Sequence, residues 1–172
     1  MMWWRQIKAI VPFPGTMTVL VPGLILLIVG RGGGGPELSG ALWGASLGRG
    51  AVLVLLGLGL FCWTVALFAR RGRGTLSPFD ATTRLVVAGP YRHVRNPMYT
   101  AVFAIQLGEA LALHSWTLLA WFVVFFAFVA AFVPRKEERW LADRFGADYA
   151  DYRAHVPRWF PRPTPWSLPT AP

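Results

Sequence analysis

The stretch Arg95–Lys136, "RNPMYTAVFAIQLGEALALHSWTLLAWFVVFFAFVAAFVPRK", decides the fold, because two apolar runs stand either side of just His114 and Ser115. A connection that short joins two helices only as an antiparallel hairpin. Span three is predicted to begin at Pro97 and end near Leu113, and span four to run from Trp116 to Val133. Crossing a hydrocarbon layer of roughly 30 Å takes about 20 helical residues. Span three is slightly short for that, which places its start at or just under the headgroups. The start is marked by Asn96-Pro97: asparagine is a strong N-cap, and proline suits the first helical position because the N–H it lacks would have no partner there.

Outward from the hairpin the chain stays apolar. Of its 172 residues 55% are hydrophobic and 15% aromatic, gathered into runs rather than spaced at amphipathic intervals, as in a membrane protein. Span one is expected over Thr16–Gly30, starting as early as Val11, with Trp3 and Trp4 as interfacial anchors. Its basic start resembles a signal peptide, but "GRGGGGPELSG" follows in place of a cleavage site, so it reads as retained. Gly32–Gly35 lack the lysine and preceding strand of a phosphate loop. Span two is expected over Arg49–Ala69, with Gly57 and Gly59 allowing close helix contact. A polar segment from Gly72 to Asn96 follows, too long for a turn. Past Pro134, Leu141, Phe145, Tyr149 and Tyr152 recur at helical spacing, predicting an amphipathic helix at the membrane surface or against the loop, weakened at Gly146. The proline-rich end from Pro157 reads as an extended tail. The expected architecture is all-α and integral to the membrane. It is one domain, with the two N-terminal spans in residues 1–70, a core in 71–161 and a Pro-rich tail in 162–172.

The net charge of +9 raises the question of nucleic acid. Position argues otherwise. Two of the 17 Lys and Arg precede span one, two lie between spans one and two, six fall between Arg70 and Arg95, and seven between Arg135 and Arg162. That alternation follows the positive-inside rule for four spans with both termini cytoplasmic, expected in a prokaryotic inner membrane. The lone Cys62 permits no internal disulfide, and no Cys/His spacing suggests a metal.

Polar chemistry concentrates near the start of span three. Arg92 and Arg95 add charge to the positive end of a helix, giving an anion site, or else a stop-transfer cluster that binds lipid headgroups. Glu109 and Gln106 share a face of span three, where an ionisable residue normally meets a partner, a cavity or a substrate path. Glu109 also lies near enough to Leu113 to reach the interface. Glu137 and Glu138 open the C-terminal helix, where the dipole favours carboxylates. They also border its inward stripe, close to Arg95 and Tyr99. Together these groups would suit a zwitterionic, cationic ligand with an aromatic ring.

The blocks "TRLVVAGPYRHVRNPMY" and "EERWLADRFGADYADYRAHVPRWFP", separated by a helical hairpin, resemble the isoprenylcysteine carboxyl methyltransferase and phospholipid methyltransferase superfamily over roughly Leu76–Pro161. The resemblance implies S-adenosyl-L-methionine as methyl donor, bound on the cytoplasmic side. It assigns cofactor contacts to Thr83, Arg84, Leu85, Val86, Tyr91, Asn96, Pro97, Met98, Tyr99 and Glu137. Candidates for a direct part in transfer are Arg95, Asn96 and Glu138; Arg135 and Glu109 are the substrate-side candidates. The family's usual histidine is Asn96 here, which keeps hydrogen-bonding capacity but carries no proton.

Methyl transfer from a sulfonium asks for alignment and exclusion of water, not for a metal or a covalent intermediate. The leading expectation is therefore a membrane methyltransferase with a lipid-soluble or lipid-anchored acceptor. A small-thiol or amine methyltransferase, and a noncatalytic protein that keeps the fold, are the alternatives. Neither the acceptor nor the oligomeric state is legible.

Overall fold

The computed structural model describes residues 11–29, 39–72 and 85–168, and among these it is helical with no strands. Trp3, Trp4, Gly32–Gly35, Thr83 and Arg84 lie outside the described residues. The first span is wound with wide π-type turns over Val11–Leu20 and becomes α1 over Val21–Val29. Pro22 has no N–H to offer the carbonyls four and five residues before it, at Thr18 and Met17. The Met17 carbonyl is taken up from outside the helix: Gln106 Nε2 donates to it at 2.9 Å and Trp121 Nε1 at 3.3 Å. A backbone group freed inside an apolar layer thus becomes the anchor of span one.

Helix α2 covers Gly40–Leu67 and ends in wide turns over Phe68–Gly72. It starts nine residues before the expected Arg49, because "GALWGASLG" contains neither proline nor charge to stop it. At about 1.5 Å per residue it is about 42 Å long, more than a bilayer core requires. Helix α3 is Pro97–Ala112 and α4 is Trp116–Phe132. The predicted turn joins them, with His114 at φ 49° and Ser115 capping α4 by accepting from Leu118 N at 3.3 Å. Pro134 does not interrupt the helical path between span four and the C-terminal helix. Wide turns over Val133–Glu137 absorb its missing N–H and lead directly into α5, Glu138–His155. The stretches Gly40–Arg70 and Trp116–His155 contain segments long and apolar enough to cross a membrane, and Gly15–Val29 is a shorter apolar helix.

The α2–α3 seam is glycine-built. A Cβ on Gly50 would stand 2.6 Å from the Gly108 carbonyl oxygen, and one on Gly57 2.8 Å from that of Ala101. Gly59, expected to share this contact, has nothing within 4 Å of a Cβ position. Between α3 and α4 the core is Val102, Phe125 and Val129, continued by Val133. At the end where α3 starts, a second layer caps the bundle. Here Tyr149, Tyr152 and Val156 pack on Leu85, Val87, Leu141, Phe145 and Trp166. The amphipathic stripe therefore faces the loop. Gly146 (φ 53°, ψ −124°) kinks α5, so that both halves of the stripe reach it.

The expected tail is extended but not free. Beyond α5 the chain doubles back as a strap, with Arg95 N donating to Pro157 O at 2.9 Å, Arg162 N to His93 O at 2.9 Å and Trp166 N to Arg92 O at 3.0 Å.

Candidate functional site

The loop before α3 closes with a 3₁₀ turn, Gly89–Arg92. Gly89 is favoured there by its φ of 55°, and a Cβ would stand 2.9 Å from the end of the Leu67 side chain, which would have to turn aside. The turn buries Tyr91 beside Val86 and Ala88, against Leu67 and Phe68. Tyr152 donates its hydroxyl to the Tyr91 carbonyl at 2.7 Å, fixing α5 to the turn. Burial pushes the Tyr91 phenol well above its ordinary range, so it stays protonated.

Two contacts join α3 to the acidic pair. Tyr99 donates its hydroxyl to Glu137 Oε2 at 2.9 Å. Burial raises the Glu137 carboxyl above the usual carboxylate range; the Tyr99 hydrogen bond pulls it partly back and the adjacent Glu138 charge pushes it up again. Glu138, only 4% exposed, sits between two arginines. Arg158 grips both its oxygens, Nε to Oε1 at 2.6 Å and Nη2 to Oε2 at 2.9 Å, while Arg95 Nη1 reaches Oε1 at 2.9 Å. Bidentate charged bonds of this kind are among the strongest available to a side chain, and Glu138 in turn raises the Arg158 guanidinium. The Arg95 side chain is 9% exposed, and its Nη1 also lies 3.5 Å from the Tyr149 hydroxyl. Its Nε is buried without an acceptor among the described residues.

Asn96 occupies the position before α3, but its side chain does not cap the helix as expected. Instead Asn96 Nδ2 donates to the Arg158 carbonyl at 3.3 Å, and the Asn96 carbonyl accepts from Thr100 N and Oγ1. The departure from the usual histidine has a physical basis: an amide and a neutral imidazole can each offer the strap one N–H.

Of the sequence candidates, Leu85, Val86, Tyr91, Arg95, Asn96, Pro97, Met98, Tyr99, Glu137 and Glu138 all belong to this end of the fold. Two do not join them. Glu109 is half-buried ten residues along α3 from Tyr99, about 15 Å away along the axis. Arg135 is exposed and donates to Ala131 O at 3.1 Å, on its own helix. Sequence reasoning missed Arg158 and Trp159, whose ring lies 5.9 Å from that of Phe103. Their signal was available in "HVPRWFP", where arginine and two aromatics interrupt a proline run. The anion-site reading also narrows, since Arg92 gives its Nε to the Trp166 carbonyl at 2.9 Å.

A groove of about 500 Å³ lies beside the start of α3, lined by Leu60, Trp63, Gly89, Arg92, Pro97 and Trp159 among others, and by neither Tyr99 nor Glu137. Trp63 is 54% exposed, and its ring stands beside the Gly89 turn. The groove is therefore an apolar approach to the helix start, separate from the carboxylates.

The sequence model of a family described as phospholipid methyltransferase matches residues 43–148. The nickel-cobalt-cadmium resistance protein NccN of Alcaligenes xylosoxydans xylosoxydans is 32% identical over 108 residues, 63% of this chain and 50% of that protein. The cobalt-zinc-cadmium resistance protein CzcN of Cupriavidus metallidurans is 30% identical over 109 residues, with the same shares. The chain thus spans about half the length of these curated relatives.

Proposed function

Since the chain belongs to the phospholipid methyltransferase family, a family of membrane methyltransferases, we propose that it uses S-adenosylmethionine to methylate a lipid-soluble or lipid-anchored acceptor. The observation that carries this reading is the Tyr99–Glu137 hydrogen bond, which brings together two blocks 38 residues apart at the start of α3. We place this end on the cytoplasmic side of a prokaryotic inner membrane, as the distribution of arginines favours. A reporter fused after Pro172 that appeared on the outer face would overturn that orientation.

The residues present fit the donor. A sulfonium is a cation, suited to the Glu137 carboxylate and to tyrosine faces. Its amino-acid end carries a carboxylate, suited to the buried Arg95 Nε, which has no partner among the described residues. When bound, S-adenosylmethionine supplies an electrophilic methyl group. The chain's own contribution is placement: Tyr99 fixes Glu137, the Tyr91 turn and α5 wall off water, and the groove admits an apolar acceptor from the side. A dry site strengthens each of these charges.

Donor binding to the detergent-purified protein tests this directly. Wild type is expected to bind, and Glu137→Ala and Tyr99→Ala to bind weakly. Folded wild type with no affinity would defeat the reading. Protonation of Glu137 removes its charge, so affinity should fall as pH drops through its raised pKa. The loss begins at a higher pH than for a free glutamate near about 4.3. Glu137→Gln should bind weakly and without that slope. Incubating labelled donor with native membranes then identifies the acceptor class. Label in lipid supports a lipophilic acceptor, whereas label in the volatile fraction would point to a small thiol.

A further inference from the structure

Arg95, Glu138 and Arg158 form a nearly closed group of three charges at the junction of α3, α5 and the strap. Their formal sum is positive by one. Had Glu138 faced Arg95 alone, the two charges would cancel and the pair would hold nothing further. Arg158 changes that balance. By taking both oxygens of Glu138 it leaves one carboxylate shared between two guanidiniums, so that the group keeps one positive charge in excess although Arg95, bonded to Glu138 at 2.9 Å, is only 9% exposed. A buried cation without a counter-charge is costly, and a buried donor without an acceptor adds to that cost. Both costs weigh most on Arg95, the more buried of the two arginines that share Glu138, whose Nε has no partner among the described residues. The positive end of α3 begins one residue later, at Asn96-Pro97. Everything about the place favours one anionic group.

Building on the proposed function, we propose that Arg158 is a positioning residue: it takes the larger part of Glu138, so that Arg95 keeps charge and an unused Nε–H for the carboxylate of S-adenosylmethionine. Arg158 lies on the strap, beyond the residues 43–148 that carry the family match. The strap is thereby part of the functional unit and not a tail appended to it.

The test compares binding of S-adenosylmethionine with binding of its decarboxylated analogue to the purified full chain, since only the first carries the carboxylate. Wild type should prefer S-adenosylmethionine by about tenfold or more, the value of one charge-assisted contact. In Arg158→Ala, Glu138 is left to Arg95 alone, the two charges cancel and the preference should collapse toward parity, whereas Arg158→Lys should retain most of it. The decisive variant is Glu138→Gln combined with Arg158→Ala. It leaves Arg95 charged and unopposed, so the preference should return although the strap contact is gone. If Arg158→Ala weakens both ligands equally, or the double variant fails to restore the preference while still folded, Arg158 is merely structural and the proposal falls. Wild type that binds neither ligand would instead remove the proposed function, and this assignment with it.

Discussion

At the α2–α3 seam, the helices meet through the absence of side chains; at the start of α3, the chain is held by side chains that reach far. Gly50, Gly57 and Gly108 let two backbones touch. At the cap, Glu138 binds Arg95 and Arg158, Tyr152 binds Tyr91, and Asn96 binds the strap. The contrast follows from solvent. Apolar surface gains nothing by leaving lipid, so helices there associate by close packing and a few hydrogen bonds. The polar cap draws on charge and burial, and it can keep an unfilled donor such as Arg95 Nε where a ligand can use it. One region is complete by itself and the other has capacity left over.

The largest way to break the cap is Glu138→Ala. Arg158 can turn outward, but Arg95 is 9% exposed and stays buried with nothing to balance it. Removing one partner of such a group costs about 3–5 kcal/mol. Thermal unfolding in detergent should show a large fall in midpoint, and an unchanged midpoint would mean that the triad is not closed in solution. The corresponding break in the seam is Gly50→Val. Its Cβ meets backbone on α3, which cannot rotate away, so the cost should reach the upper end of the usual overpacking range of about 1–3 kcal/mol. Gly59→Val is the control and should change stability little.

The seam was only half legible in the sequence, and the reason is geometric. Gly57 lies seven residues, or two turns, from Gly50, whereas Gly59 is about 200° around the helix from Gly57. A glycine pair in an apolar run announces close contact without saying which face makes it. The hairpin was fully legible, because a two-residue link between apolar runs leaves one arrangement. Helix phase already set Glu137 on the inward stripe near Tyr99, and the resemblance of the two blocks assigned both to one site. What stayed hidden was the strap. Its ties to Arg92, His93 and Arg95 are mainly backbone hydrogen bonds over long separations, and a backbone bond leaves no residue-type signature. Arg158 stands out in "HVPRWFP", but its place beside Glu138 depends on that strap.

Gln106 lies between the two regimes, a side-chain hydrogen bond made at membrane depth. It is 1% exposed, and its amide holds the Met17 carbonyl that Pro22 helps to free. Gln106→Leu should cost about 0.6–1.7 kcal/mol, the usual range for such bonds between membrane helices. Trp121 still serves the same carbonyl. Combining Gln106→Leu with Trp121→Phe leaves it bare, and the loss should exceed the sum of the two single changes. Simple additivity would show that the carbonyl finds another donor.

The smallest expected effect belongs to Asn96→His, which restores the residue that resemblance leads one to expect. Asn96 uses one N–H, to the Arg158 carbonyl, and does not cap α3. A neutral imidazole in the tautomer with a proton toward the strap makes the same donation, so stability should change by less than about 0.5 kcal/mol. Asn96→Ala has no donor to offer and should cost about 1 kcal/mol. The comparison isolates the hydrogen bond from the shape of the site. If histidine proved as damaging as alanine, the position would be selected for fit and not for its N–H. If donor affinity in the histidine variant acquired a new dependence on pH near about 6.5, the imidazole charge would be felt at the site. Asn96 would then be what keeps a second, pH-dependent cation away from Arg95 at the helix start.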